Sequence, residues 1–416
     1  MERESIDIGM GMDPALEHLL RHMLKIEASD LYITVGSPPV FRVDGVGYPA
    51  RVPLQAPQIA AMADSLMTTE QRDEFKSKLE MNLAVALGDE GRFRVNLFMQ
   101  RGSVGMVVRL VRTIIKTLDE LRHPEVLKEV ALTRRGLVLV VGGTGSGKST
   151  TLAAMIDHRN ANESGHIVTI EDPIEFMHPH KRCIVTQREV GLDTRSYAEA
   201  LKNTLRQAPD LILIGEIRDV ETMEAAIAFA ETGHLCVSTL HANNANQAIE
   251  RILNFFPSGR HHEICLQLSL NLRAVISQRL VPAAQGGRAA ALEVLLDTPR
   301  IRELIKRGDI DVLKEAMDAS AVEGCRTFDL SLYELFVAGR VTREEALKAA
   351  DSPNNLRLRL DRFRASGGDS EGFQELRLVP QPGTTIVPAV APTALRAQVP
   401  AARPILPTPA VGLPRR

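Results

Sequence analysis

Leu137-Val-Leu-Val-Val-Gly-Gly-Thr-Gly-Ser-Gly-Lys-Ser-Thr-Thr-Leu152 decides the fold. An apolar run of strand length enters a glycine-rich turn, and Leu152, Met155 and Ile156 then recur at a helical period. Strand, loop and helix in that order are the context a phosphate-binding loop requires, and they place it at Gly142-Gly-Thr-Gly-Ser-Gly147-Lys148-Ser149. Gly142, Gly143, Gly145 and Gly147 let consecutive backbone N–H groups close around phosphate oxygens, and the helix N-terminus adds a positive end. Lys148 is placed to reach the β and γ oxygens and Ser149 to ligate Mg2+, while Thr144, Ser146 and Thr150 complete the candidate nucleotide-binding set.

Further along the chain, the apolar runs Ile167 to Ile170, Leu211 to Ile214 and Leu235 to Leu240 read as buried parallel strands alternating with helices, which makes the fold class α/β. Hydrolysis needs a carboxylate at the end of one of these strands. Asp210-Leu-Ile-Leu-Ile-Gly-Glu216 supplies Glu216, the leading candidate base, and the strand ending at Ile170 delivers Glu171 and Asp172 to the edge where open α/β sheets gather ligands. Asp172, beside Pro173, reads equally well as a turn former. Ser196-Tyr-Ala-Glu199 and Thr342-Arg-Glu-Glu345 have capping-box spacing and predict helix starts. Arg260 to Gln278, Pro299 to Gly308 and Phe328 to Gly339 also read as helices.

Toward the N-terminus, Pro14 to Ala28 has a helical period, and Arg92 to Phe98 and Met106 to Leu110 alternate as antiparallel strands joined near Gly102. The 416 residues suit two folded parts at ~150 residues each, plus extras. The divisions are residues 1–112, a small α+β domain; 113–135, a linker; 136–365, the loop-bearing domain with C-terminal helices; and 366–416, a proline- and alanine-rich basic tail expected to be disordered.

Lys plus Arg at 50 against Asp plus Glu at 52 gives a net charge of −2, so no global basic field holds nucleic acid. Without tryptophan and with 4% aromatics, stacking platforms for a translocated strand are scarce, and no direct nucleic-acid partner is expected. The four cysteines, Cys183, Cys236, Cys265 and Cys325, form no C-x-x-C pair and read as reduced, buried thiols. The N-terminus lacks a secretory pattern, and no apolar run approaches the roughly 20 residues of a membrane span, so a cytoplasmic protein is expected.

Glu171-Asp-Pro-Ile-Glu175, Gly215-Glu-Ile-Arg-Asp219 and Thr232-Gly-His-Leu-Cys-Val-Ser-Thr-Leu-His241 resemble the acidic box, Walker B and histidine box of the secretion ATPases that drive type IV pili. The resemblance runs from about Leu16 to Phe363 and is to the retraction ATPases of the PilT/PilU group. His241-Ala-Asn-Asn-Ala-Asn246, Asn254-Phe-Phe-Pro257 and Asn354-Asn-Leu-Arg-Leu-Arg359 are more similar to the PilU side. Pro299-Arg-Ile-Arg-Glu-Leu-Ile305 stands where the PilT side has Ala-Ile-Arg-Asn-Leu-Ile, a departure in the same direction.

The resemblance implies a PAS-like N-terminal domain before a RecA-like P-loop ATPase domain. It further implies a homo-hexamer that hydrolyses ATP at the inner-membrane pilus machinery, with a PilT-like ATPase and an inner-membrane platform protein as partners. It places catalytic carboxylates at Glu171 and Glu216 and the histidine-box residues at His234 and His241, for which the alternative is a hydrogen-bonded histidine at a strand end. It also implies that Arg94 and Arg109 approach the nucleotide, although both read equally as solvent-facing strand residues. Arg206 and Arg218 stay open between the site and surface ion pairs.

Overall fold

The computed structural model describes residues 11–365 except Asp44, Asp89 and Arg112. The tail expected over residues 366–416 lies outside the described residues.

The N-terminal part is an antiparallel sheet of six strands, β1 (Asp30–Ile33), β2 (Val40–Val43), β3 (Val46–Pro49), β4 (Glu80–Leu87), β5 (Gly91–Gln100) and β6 (Ser103–Val111), in the order β3-β2-β1-β6-β5-β4. Strand alternation sends Phe93, Val95 and Leu97 of β5 into a core shared with Leu16, Leu20 and Met23 of the helix Pro14–Lys25. That helix begins at Asp13, whose carboxylate accepts the N–H groups of Ala15 and Leu16. Met12 packs into the same core. On the opposite face of β5 the period of two leaves Arg92, Arg94 and Asn96 half-buried.

The second sheet contains β7 (Gly136–Val141), β8 (Gly165–Glu171), β9 (Cys183–Glu189), β10 (Leu211–Ile214), β11 (Leu235–Leu240), β12 (Leu272–Pro282) and β13 (Arg288–Leu296). Its order is β13-β12-β7-β11-β10-β8-β9, and every neighbouring pair is parallel except the β12/β13 hairpin. Every residue of β7 is buried, because helices cover both faces. Leu137, Leu139 and Val141 face the helices Val220–Glu231, Ala245–Phe255 and His261–Asn271. Val138 and Val140 face the helix Lys148–Asn162 and the short helix Val126–Ala131. The chain moves from β11 on one side of β7 to β12 on the other, so the C-terminal end of β7 opens into the crevice at a switch point.

Two expectations are corrected. The stretch Arg260 to Gln278 is helical only through Asn271; from Leu272 it is the strand β12, hydrogen-bonded beside β7. The run from β8 toward the helix Tyr197–Thr204 is not a direct strand-to-helix step either, because β9 intervenes and extends the sheet edge. The predicted caps form, with Ser196 Oγ accepting the Glu199 N–H and Thr342 Oγ1 accepting that of Glu345. All four cysteines are free and buried. Among the described residues no helix is long and apolar enough to cross a membrane.

Candidate active site

Parallel strands deliver their C-terminal ends to one edge, and there the loop after β7, Glu171 of β8, Glu216 just past β10 and His241 just past β11 gather. They line a cavity of about 880 Å³. The loop's shape depends on glycine at two points. A Cβ at Gly142 (φ 154°) would lie 2.5 Å from Ser146 Oγ and 2.6 Å from Gln278 O, and one at Gly147 (φ 88°) would lie 2.7 Å from Gln278 Nε2. Gly147 also supplies no side-chain cap to the helix Lys148–Asn162, so that helix's first N–H groups are left for an anion. Ser146 Oγ is buried without a hydrogen-bond partner among the described residues, which is the kind of group a phosphate oxygen would satisfy.

The Lys148 ammonium donates to Gly142 O at 2.9 Å and Gly143 O at 3.1 Å. Burial pulls it below the ordinary lysine value, while the charges of Glu216 and Glu175 pull the other way. Ser149, Thr144 and Thr150 line the same cavity.

Across the cavity, Glu216 sits between two cationic or polar partners. Its Oε1 lies 3.0 Å from His241 Nε2, and its Oε2 accepts from Arg218 Nε at 2.5 Å. Arg218 therefore belongs to the site, with its other nitrogen 3.9 Å from Asp172. Two hydroxyls of β11 hold the turn that carries Glu216, Ser238 Oγ donating to Ile214 O and Thr239 Oγ1 to Gly215 O, each at 2.7 Å. Gly215, standing where many P-loop enzymes have aspartate, answers to space: a Cβ there would be 3.0 Å from the Tyr197 hydroxyl and 3.2 Å from Glu171 Cα.

Glu171 is the other half-buried acid of the edge. Thr169 Oγ1 donates to it at 2.7 Å and Gln187 Nε2 at 3.2 Å, yet burial prevails and pushes its carboxyl up to about 7. Its proton is thus exchangeable near neutral pH.

Residues 11–361 match the family described as Type II/IV secretion system protein. The type IV pilus ATPase PilU of Pseudomonas aeruginosa is 54% identical over 355 residues, covering 85% of this chain and 93% of that protein. The chain belongs to the secretion ATPases of the PilT/PilU group. The pilus retraction ATPase PilT of the same organism is 42% identical over 345 residues, 82% of this chain and 99% of that one. A crystal structure of the pilus retraction motor PilT with bound ADP matches with a TM-score of 0.77 at 38% identity, covering 82% of this chain and 99% of that one.

In this PilT/PilU-group chain, three expected residues do not join the loop. His234 precedes β11 while His241 follows it, and at ~3.3 Å per residue they stand about 20 Å apart at opposite ends of the strand. His234 Nδ1 instead lies 3.1 Å from Thr232 Oγ1, the hydrogen-bonded strand-end arrangement. Arg94 and Arg109 lie outside the loop's cavity, in a separate cleft with Glu189. Arg109 Nε donates to Asp30 at 2.8 Å within the N-terminal sheet. Arg94 pairs with the buried Glu189 of β9 at 2.9 Å. Arg94→Ala leaves that carboxylate buried without its cation, and a fall in stability of about 3 kcal/mol is expected in urea unfolding. Arg206 is exposed and, among the described residues, makes a 3.4 Å contact with Asn203. In Asn254-Phe-Phe-Pro257, Phe256 is buried and Phe255 packs against the core.

Two residues behind the loop were not singled out by any motif. Thr151 Oγ1 donates to Gln278 Oε1 at 2.6 Å, so His123 Nε2, 2.9 Å away, is the donor to that hydroxyl. Burial holds the His123 imidazole down at about 4, and the ring is neutral at pH 7. His123 falls in the stretch read as a linker and Gln278 in the one read as a helix, and nothing local ties either to Thr151.

Proposed function

We propose that the chain is an ATP-hydrolysing ring motor, a homo-hexamer that powers retraction of a type IV pilus by withdrawing pilin subunits from the fibre. The observation that carries this reading is Glu216, poised by His241 and Arg218 across a cavity from an uncapped P-loop helix, in a chain 54% identical to a pilus ATPase. The unpartnered Ser146 hydroxyl and the close-packed glycines at 142 and 147 fit a phosphate chain in the loop.

In the proposed mechanism, loop N–H groups and the Lys148 ammonium bind the ATP phosphates, and Lys148 exchanges its loop carbonyls for the β and γ oxygens. Ser149 would hold Mg2+, which supplies charge at the phosphate oxygens when bound. Glu216 orients the attacking water, its carboxylate fixed in angle by Arg218 and His241. Glu171, with a carboxyl near neutrality, holds or passes a proton at the same edge. Electrostatic stabilisation by prepositioned groups is the main means of lowering the barrier in such phosphoryl transfer. The expected setting is the cytoplasmic face of the inner membrane, against a platform protein of the pilus machine.

A second reading has its own observation. Identity to PilU exceeds identity to PilT, 54% against 42%, which favours an accessory ring that works with a PilT-like partner. One experiment covers both: ATP turnover and oligomer mass of the purified chain, with retraction scored in cells with and without the PilT-like ATPase. Turnover in a six-subunit assembly with retraction in both backgrounds supports the independent motor. Retraction only beside the partner supports the accessory ring. A monomer without turnover in either setting overturns both.

A further inference from the structure

β9 is the outermost strand of its sheet, and the segment that follows Glu171 is fastened to it by side chains. The parallel register sets Gln187 opposite Thr169 and Glu189 opposite Glu171. Gln187 uses both ends of its amide. Its Nε2 donates to Glu171 Oε1 at 3.2 Å and to Phe176 O at 2.9 Å, and its Oε1 accepts the His178 N–H at 2.8 Å. Glu189, 4% exposed, accepts the Ile174 N–H on Oε2 at 3.1 Å and meets Arg94 through Oε1. Ile174, Phe176 and His178 are thus held at every second residue by two side chains of a strand that no motif marks.

We propose that Gln187 and Glu189 are positioning residues for hydrolysis, a two-residue clamp that fixes the acidic segment 171–178 and, through Gln187, aims the Glu171 carboxylate. Arg94 attaches the clamp to the N-terminal sheet, so a movement of that sheet is felt at residue 174, three positions from Glu171. The inference rests on the proposed role of Glu171.

Gln187 stabilises the ionised carboxylate, as do Thr169 and the Glu175 N–H, while burial and the Glu175 charge favour the proton. Tyr197 of the helix Tyr197–Thr204 faces Glu171, and Asp172, Glu216 and Arg218 surround that tyrosine. Removing the Gln187 donor therefore raises the Glu171 carboxyl further.

The test is the pH profile of ATP hydrolysis by the full chain between roughly pH 5 and pH 9, with affinity for a fluorescent ATP analogue measured in parallel. In Gln187→Leu the limb that rises with pH moves upward by about one pH unit. Gln187→Glu keeps the acceptor for the His178 N–H but sets a second carboxylate against Glu171, and the limb moves further in the same direction. Nucleotide affinity stays within about twofold in both, because neither change touches the loop. Should Gln187→Leu fail to fold, the near-isosteric Gln187→Glu decides alone. Limbs that stay at the wild-type position while Glu171→Gln is inactive overturn the clamp and leave the role of Glu171 standing. Full activity in Glu171→Gln overturns both.

Discussion

Lys148→Ala lowers ATP hydrolysis by about 1000-fold and weakens nucleotide binding, with little change in the melting temperature. The asymmetry follows from what Lys148 touches. Its partners are the carbonyls of Gly142 and Gly143, both in a loop open to the cavity, so water replaces the ammonium when the side chain is cut back. Burial already disfavours its charge, and removing it costs the fold under about 1 kcal/mol. Bound ATP has no such substitute, because the developing charge on the β and γ oxygens requires a cation fixed in place before the reaction. Lys148→Arg does not restore the rate, since a planar guanidinium cannot enter the space of a point-like ammonium between those two carbonyls. Steady-state turnover and titration of a fluorescent ATP analogue on one preparation check the claim; hydrolysis within tenfold of wild type would sink it.

The parts of this site that sequence alone displayed share a property: their chemistry is written in consecutive residues. Gly142 to Ser149 can be read because glycine spacing, lysine and serine all serve one ligand, and Glu171 and Glu216 because each ends an apolar run. The α/β class followed from the same runs, and β7 is as uniformly buried as its composition requires. What stayed hidden was set by distant pairing. β12 looked helical because Leu268, Leu272, Val275 and Ile276 fit a period of 3.6, although Leu272 and Ala274 through Ile276 are buried together as a two-sided strand beside β7. β9 escaped notice because Cys183-Ile-Val-Thr-Gln-Arg-Glu189 is half polar, as suits an edge, and its two working side chains act on residues that precede them. His234 and His241 stand in one motif, but the strand between them carries the two to its opposite ends.

Glu216→Gln leaves ATP bound but lowers kcat by about 1000-fold. Glutamine fills the same volume, and its Oε1 still meets a donor, so the turn held by Ser238 and Thr239 keeps its shape. The charge is what disappears. Arg218 then keeps, among the described residues, the more distant Asp172 as its acid partner, and His241 loses the anion at 3.0 Å that orients its ring. A carboxamide presents a donor where the attacking water needs an acceptor, so the water is no longer drawn onto the line of attack. Because Glu216 makes no hydrogen bond to the loop itself, analogue affinity should stay within about threefold, and this separation of binding from turnover distinguishes its role from that of Lys148. The comparison must be made both alone and with a PilT-like partner. If the wild-type chain turns over only beside the partner, the variant has to abolish the increment that the chain adds; an undiminished increment would remove Glu216 from the centre of the mechanism, whatever the loop binds.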